Sequence, residues 1–423
     1  MTFGATTTTG NATFNVGANA LVTLGALSDG GSADSITKSG TGTLTLGSAA
    51  GTITNGTALA ITAGTVNSSN ATALGTLAAV TLSTGATLNL GASQTLGSIA
   101  GTGGTLNLNA NTLTVGSTNN LSGSYGGSIT GTGNLVKAGT GTLTLTSGSS
   151  YSGTTTVNAG TLNLQSGTAL GSGSSTVTVG SGATLQLQGG ITVARNLSLG
   201  GTLESVSGAN LLSGNITLTG AATINSNTAA TEFGVGKTDF TSIITMGANT
   251  LTVGGAGDLR FNSFVGQSGD TGGFIKTGSG TVTFYGDRNY YTGTTDVRDG
   301  TLILDTLDDI YMPDVTILGD LIIGDGTGSA GSAVVRFGNV ASANNKIANT
   351  SNVTINADGT LDLNSRADRI NAVTFTGGSI TLGSTGTLTL FGDVTTNASS
   401  QTATISGYQF ALSDSASTIR TFT

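Results

Sequence analysis

Apolar and polar residues alternate strictly in short segments that recur along the whole chain. In Thr142-Leu143-Thr144-Leu145, for example, threonine, an aliphatic residue, a polar residue and a second aliphatic residue follow one another. The same cassette occurs at 43–46, 87–90, 105–108, 161–164, 184–187, 281–284, 360–363 and 387–390. A period of two places successive side chains on opposite faces of a strand. Each cassette therefore predicts a short β-strand with one buried and one solvent-facing side.

The spacing of the cassettes predicts a solenoid. Many follow one another at roughly 18–25 residues, a repeat length at which one unit cannot bury its own apolar face and neighbours must stack. We therefore predict an all-β fold, a parallel β-helix (β-solenoid) forming a single elongated repeat domain. Roughly 20 coils at about 4.8 Å each would span about 100 Å. The alternative, an antiparallel sandwich, is less favoured because hairpin signals such as Asn-Gly are rare.

The register of the solenoid follows from the same alternation. We expect Leu143 and Leu145 to point inward and stack on equivalent residues of adjacent coils, while Thr142 and Thr144 face water. The 70 glycines supply the tight corners between strands. Proline would remove a ladder donor, and the chain has one, Pro313.

Charge divides the chain into two parts. Residues 1–229 contain three basic and three acidic residues, which leaves ten and eighteen for 230–423. We interpret 1–229 as a neutral Gly/Thr-rich solenoid half and 230–423 as its acidic continuation. The alternation breaks near Pro313, so we predict a loop excursion at 307–314.

The residue inventory excludes the common catalytic centres. Histidine and cysteine are absent, so neither Ser-His-Asp nor Cys-His catalysis nor an ordinary zinc site can be built. The best remaining group is Asp305, Asp308 and Asp309 near Arg288 and Arg298. We interpret it as a solvated acidic face, with a weak calcium site as the alternative. We therefore predict no enzyme activity, no cofactor, and no catalytic or metal-binding residues.

Three longer segments share a more specific pattern. Residues 135–162 and 274–302 both contain a lysine, a Gly-x-Gly pair, a Thr-aliphatic cassette and a Tyr-x-Gly-Thr-Thr run, and 36–44 is a shorter copy. This pattern resembles the autotransporter-associated β-strand repeat, the passenger-associated repeat of Gram-negative surface proteins. The resemblance implies a right-handed parallel β-helix outside the cell, with a structural or adhesive role.

Two residue types recur within these segments and call for an interpretation. We expect Lys137 and Lys276 to be solvent-facing residues of the coil. We expect Tyr151 and Tyr291 to pack as aromatic side chains at a coil corner, with glycan binding by exposed tyrosines as the alternative.

Charge and hydropathy limit the partners. The net charge of −8, without a cluster of Lys and Arg, argues against nucleic acid. The chain contains no stretch of about 18 apolar residues, so we predict no membrane insertion by this segment. Neither a signal peptide nor the family's C-terminal membrane barrel is recognisable, so we expect export signals outside these residues.

Two functions from different classes remain. The first is an extracellular or cell-surface structural protein, a passenger or filament subunit that self-associates head to tail. Strand-like alternation from Thr2 to Phe422 without a polar cap motivates this hypothesis. The alternative is an adhesin that recognises a surface glycan or a host surface through its acidic half.

Overall fold

The computed structural model describes residues 1–47, 53, 56–75, 79–117, 120–228, 232–236, 242–286, 288–306, 315–339 and 344–412. Within these ranges the regular secondary structure is β-strand, and no helix occurs in them. The excursion predicted at 307–314 lies outside the described residues. The chain divides into two compact units, Met1–Gly201 and Thr202–Thr423. The change of charge at 229/230 thus falls inside the second unit.

The strands of the first unit are short, and most contain two to four residues. They are β1 (Thr2–Phe3), β2 (Thr6–Thr7), β3 (Ala12–Asn15), β4 (Leu21–Leu24), β5 (Leu27–Ser28), β6 (Ser35–Ser39), β7 (Thr43–Leu46), β8 (Ala58–Ile61), β9 (Thr65–Ser68), β10 (Ala79–Leu82), β11 (Thr87–Leu90), β12 (Gln94–Leu96), β13 (Ser98–Ala100), β14 (Thr105–Asn107), β15 (Thr112–Val115), β16 (Gly123–Tyr125), β17 (Ser128–Thr130), β18 (Asn134–Lys137), β19 (Thr142–Leu145), β20 (Thr155–Val157), β21 (Gly160–Leu164), β22 (Val177–Val179), β23 (Ala183–Gln188), β24 (Thr192–Val193) and β25 (Leu197–Leu199).

Most strands of this unit pair with a strand of the coil before, the coil after, or both. The main stacks run β1-β4-β7-β9-β11-β14-β17, β3-β6-β8-β10-β13, β12-β15-β18-β20-β22-β25 and β16-β19-β21-β23. The pairings within these stacks are parallel, for example β7 with β9 and β19 with β21. Parallel pairing between successive coils is the arrangement of a solenoid and excludes the antiparallel sandwich.

The second unit contains longer strands towards its end. They are β26 (Thr202–Ser207), β27 (Leu211–Leu212), β28 (Ile216–Leu218), β29 (Ala222–Ser226), β30 (Phe233–Val235), β31 (Ile243–Thr245), β32 (Leu251–Gly254), β33 (Leu259–Phe261), β34 (Phe264–Val265), β35 (Phe274–Lys276), β36 (Thr281–Phe284), β37 (Thr295–Val297), β38 (Gly300–Leu304), β39 (Leu321–Ile323), β40 (Ala333–Phe337), β41 (Val353–Asp362), β42 (Ala367–Ile370), β43 (Val373–Thr381), β44 (Thr387–Leu390), β45 (Val394–Thr396), β46 (Thr404–Ser406) and β47 (Gln409–Leu412).

Two stacks of this unit merge at its long strands. One runs β26-β29-β32-β35-β37-β39 and the other β27-β30-β33-β36-β38-β40, and both continue into β41 and β43. Separate stacks are β28-β31-β34 and β42-β44-β47. In each unit successive coils stack in parallel, and the described residues hold about 17 turns of β-solenoid, slightly fewer than the sequence spacing suggested.

Continuous apolar ladders form the core. In the first unit Leu44, Val66, Leu88, Leu106 and Ile129 occupy equivalent positions on successive coils. Their side chains are fully buried. Each such burial contributes roughly 1.5–3 kcal/mol, so the ladder, repeated at every coil, supplies the main stabilisation of the stack.

The outward positions form polar ladders in the same register. Thr43, Thr65 and Thr87 lie above one another on β7, β9 and β11. Two residues along, the Asn89 Nδ2 donates to Asn67 Oδ1 at 2.9 Å. Side-chain hydrogen bonds between coils thus reinforce the backbone ladder.

The predicted orientation around Leu143 is confirmed. Leu143 and Leu145 are buried, while Thr142 and Thr144 alternate with them as partly exposed residues. Leu143 pairs in register with Leu162, which is also buried.

The change Leu143→Asp should destabilise the protein by about 4 kcal/mol or more, because it places a carboxylate without a partner in the apolar ladder. Chemical denaturation monitored by circular dichroism measures this loss. Thr144→Ser, on the outward face of the same strand, is the matched control and should be nearly silent. Equal sensitivity at both positions would contradict the register.

Candidate functional site

A buried lysine occupies a coil corner in each of the three repeated segments. The Lys137 side chain is 0% exposed, and its Nζ donates to three backbone oxygens. These are Ala138 O at 2.6 Å, Gly139 O at 2.8 Å and Ala159 O on the next coil at 3.1 Å. The lysine therefore links the corner of its own coil to that of its neighbour.

The other two copies repeat this arrangement. Lys276 donates to Thr277 O at 2.9 Å, Gly278 O at 2.6 Å and Asp299 O at 2.9 Å. Lys38 donates to Ser39 O at 3.0 Å, Gly40 O at 2.8 Å and Ala63 O at 3.1 Å. The acceptors are the residues one and two positions after the lysine and one residue of the following coil. We call this arrangement the lysine corner.

The prediction that Lys137 and Lys276 face solvent is wrong. In β18 the buried positions are Leu135 and Lys137, and in β35 they are Phe274 and Lys276. The period of two already places each lysine on the same face as the apolar residue two positions earlier. This signal was present in the sequence, but the charge of the side chain argued against burial. Carbonyl acceptors inside the corner explain why the charge is tolerated.

Glycines with positive φ shape the lysine corner. Gly139 has φ 65°, and a Cβ built there would lie 1.9 Å from Gly116 O. Gly160, which follows the third acceptor, has φ 63°. At the equivalent Gly300 a Cβ would lie 2.7 Å from the Lys276 Nζ. A side chain at these positions would therefore strain the backbone and crowd the ammonium group.

The lysine corner has no donor left for a ligand. Three acceptors match the three N–H donors of an ammonium group. Burial lowers the pKa of Lys137 to about 8. Burial also lowers the pKa of Lys276 to about 8, against the opposing effect of the Asp299 and Asp258 charges. Both lysines are thus mostly protonated at pH 7, and their chemistry is structural.

A buried tyrosine forms a second element of the two longer segments. The hydroxyl groups of Tyr151 and Tyr291 pair with Thr155 Oγ1 at 2.5 Å and Thr295 Oγ1 at 2.8 Å. Both tyrosines are 0% exposed. The Tyr291 ring stacks on Phe274 with 6.1 Å between ring centroids. The expectation of aromatic packing is confirmed, and these two side chains are closed to a glycan.

Comparison with known families locates the same two segments. A family model, the passenger-associated-transport-repeat, matches residues 135–164 and 274–304. The chain contains two passenger-associated-transport-repeats. Each of these passenger repeats holds one lysine corner and one buried tyrosine, and the segment around Lys38 has the same corner outside the matched ranges. No curated protein and no solved structure gives a significant match.

The passenger repeats and the solenoid together fit the passenger domain of an autotransporter. Such a repeat implies, in general terms, a location at the cell surface or outside the cell. The described residues form no helix long and apolar enough to cross a membrane.

Of the acidic group singled out in the sequence, the structure describes Asp305 together with Arg288 and Arg298. Arg298 Nε lies 2.7 Å from Asp296 Oδ2, which makes a partly exposed surface ion pair. Asp308 and Asp309 lie outside the described residues. Within the described part of the chain, no group of three or more His, Cys, Asp or Glu is placed to hold a metal ion.

The sequence reasoning missed a groove on the second unit. It has a volume of about 710 Å³, and its lining includes Asn345, Asn349, Asp368 and Arg369. Asp368 occupies a core position of β42, in register with Leu388. Its carboxylate accepts from Arg369 N at 2.6 Å and from Ile347 N at 3.1 Å. Burial raises the pKa of Asp368 to about 8 in spite of these bonds.

The change Lys137→Met should destabilise the protein by about 3 kcal/mol, because each buried acceptor left without a donor costs about 1–3 kcal/mol. Urea unfolding at neutral pH measures the loss. Arg336→Met is the control, since Arg336 forms a surface ion pair with Asp362 that contributes about 1 kcal/mol or less. Equal effects of the two changes would contradict the structural role of the lysine corner.

The change Asp368→Asn should alter the pH dependence of stability. The pKa of Asp368 is about 8 in the fold, whereas an unfolded aspartate titrates near about 4. Between these values the unfolded chain has lost the proton and the fold retains it, so this group lowers stability as the pH rises. The stability of the variant relative to the original protein should therefore increase from about pH 4 to about pH 8. Urea unfolding across this range measures the difference, and a constant difference would contradict the assignment.

Proposed function

We propose that this chain is a non-catalytic, structural passenger displayed outside the cell, a rigid β-solenoid that associates end to end. The passenger repeats support the display, and the continuous ladders support the rigidity. The use that the first unit makes of its few charged residues supports the structural role most directly.

The first unit has almost no surface charge. Residues 1–201 contain five charged residues, Asp29, Asp34, Lys38, Lys137 and Arg195. All of these except Asp34 are buried. Their charges are used inside the solenoid, while outward ladders of threonine and asparagine cover its faces. A neutral, hydrogen-bonded exterior suits a spacer or filament body better than a charged binding surface.

Association would occur through the first and last coils that the structure describes. Strand β1 pairs with β4, and β47 pairs with β44. Exposed apolar side chains lie near these edges, with Phe3 at 45% exposure on β1, Leu21 at 54% on β4 of the following coil, and Tyr408 at 66% directly before β47. A strand edge with free backbone groups is a template for another chain. Head-to-tail contacts of this kind are heterologous and propagate into a filament.

Electron microscopy across a concentration series tests the association. Filaments should lengthen with concentration and should persist in moderate salt, because the contacts are backbone bonds and apolar ladders. Leu21→Lys should shorten them by placing a charge in the proposed interface. Leu121→Lys is the matched control, because Leu121 is also exposed, at 38%, on another coil.

The outcomes separate the parts of the proposal. Filaments that Leu21→Lys leaves unchanged would contradict the coil-on-coil interface. If no filaments form at any concentration, the chain acts as part of a longer passenger or as a single spacer. Antibody labelling of intact cells tests the display itself, and labelling that requires permeabilised cells would overturn it.

An adhesive role is the second candidate, and one observation favours it. The second unit places partly exposed tyrosine side chains beside arginine residues on its surface, as at Tyr285 and Arg260. The first unit has no counterpart to this pair within its described residues.

A further inference from the structure

Each passenger repeat has a second corner, between its Thr-aliphatic strand and its buried tyrosine, and the two repeats build this corner from different residues. Between the strand and the buried tyrosine, the first repeat has Thr-Ser-Gly-Ser-Ser at 146–150, and the second has Tyr-Gly-Asp-Arg-Asn-Tyr at 285–290. The backbone bonds match at both ends. Thr146 N donates to Tyr125 O and Tyr285 N to Phe261 O, each at 3.0 Å. The corner therefore forms without the aromatic and arginine side chains of the second repeat.

Residues of the preceding coil contact these side chains in two places. The Arg260 Cζ lies 3.3 Å from the centroid of the Tyr285 ring. The Phe264 and Tyr290 rings have centroids 6.1 Å apart and are tilted by 49°. The Arg288 Cζ lies 5.9 Å from the Tyr290 ring centroid. All five side chains are partly exposed, and we call them the aromatic patch.

The surroundings of the aromatic patch balance its positive charges. Arg260 Nη1 lies 3.9 Å from Glu232 Oε1, and Glu232 is half-exposed. The part of the chain that holds the patch, 230–423, has ten basic and eighteen acidic residues. An anionic polymer would meet this excess of negative charge, so the patch is better suited to an uncharged ligand.

A sugar ring has the complementary chemistry. One face of a pyranose carries C–H groups that can pack on an aromatic face, and its rim carries hydroxyl groups that bond to guanidinium and carboxylate groups. Tyrosine offers rigid contact area at low entropic cost. Phe264 and Tyr290 supply a pair of rings with Arg288 near Tyr290, and Tyr285 supplies a ring against Arg260, whose ion-pair partner is Glu232.

We propose that the aromatic patch is a binding site for neutral saccharides. The inference deepens the adhesive role named above and rests on the display of the chain outside the cell, where such ligands occur. The passenger-repeat scaffold holds the corner, and the side chains of Tyr285, Arg288 and Tyr290 determine what it binds. A protein partner that uses the same tyrosine and arginine side chains as a hot spot is the competing explanation.

Exchange of residues between the two repeats provides the test. The double variant Tyr285→Thr/Tyr290→Ser introduces the residues found at positions 146 and 150, so its corner should still fold. Leu121→Ser removes an exposed apolar side chain on another coil, outside the aromatic patch and the proposed association interface, and is the control. The full chain is screened on an array of neutral and acidic oligosaccharides. The best neutral oligosaccharide is then titrated by isothermal titration calorimetry, whose signal does not depend on the tyrosines that the variant removes.

The original chain and Leu121→Ser should bind the same neutral oligosaccharide. The double variant should bind it about tenfold more weakly or worse, with an unchanged circular dichroism spectrum. Arg288→Gln should weaken binding less. Thermal melts of all variants establish that the fold is retained.

The remaining outcomes overturn the proposal in distinguishable ways. If the double variant still binds the oligosaccharide, the chain is an adhesin whose binding site lies outside the aromatic patch. Binding of acidic oligosaccharides alone, abolished by salt, would refute the neutral ligand. If no array member binds and ultracentrifugation shows self-association that the double variant abolishes, the patch is a protein contact. If nothing binds while intact cells are still labelled, the saccharide site is refuted and the displayed passenger remains.

Discussion

Parallel, in-register stacking of successive coils is the constraint on which the rest of the structure depends. Each strand must donate and accept backbone hydrogen bonds on both sides, so a residue and its counterpart on the next coil meet at the sheet spacing. Apolar residues then form inward ladders, such as Leu143 on Leu162, and outward residues form polar ladders, such as Asn67 on Asn89. The corners are the difficult part. There the chain turns, and backbone carbonyls leave the ladder and need donors inside the solenoid.

In the lysine corner, a charged side chain supplies these donors. One ammonium group satisfies two carbonyls of its own coil and one of the next, as Lys137 does with Ala138, Gly139 and Ala159. Because the acceptors are uncharged carbonyls, the ammonium group does not need the geometry of a buried ion pair. Burial of the charge lowers the pKa of the lysine. The same residue thus closes a corner and fixes the vertical register of two coils. This double role explains why lysine recurs where the faces of the first unit otherwise lack charge.

Much of the fold could be predicted from the alternation alone. The orientation of Leu143 and Thr144 follows from a period of two, and the same parity places Lys137 beside Leu135 on the inner face. Burial of the lysine was missed because the carbonyls that receive it come partly from the next coil, which local sequence does not identify. The contact of Arg260 with Tyr285 and the burial of Asp368 beneath Ile347 depend on the same information. Both features depend on which residues lie above one another. The sequence does not identify these neighbours, because coil lengths in this chain vary.

The two passenger repeats show where such a fold can vary without losing stability. Inward residues pack in the ladders, the corner glycines adopt positive φ, and the lysine and tyrosine form hydrogen bonds inside the solenoid. Substitutions at these positions would therefore destabilise the fold. Outward side chains at the corner between the strand and the tyrosine are not fixed in this way, because Thr146 and Tyr285 make equivalent backbone hydrogen bonds with different side chains. Differences between repeats should therefore accumulate there. Tyr285 and Tyr290 are partly exposed at such positions, where the first repeat has Thr146 and Ser150, so the two repeats share a backbone corner and differ in the surface they present.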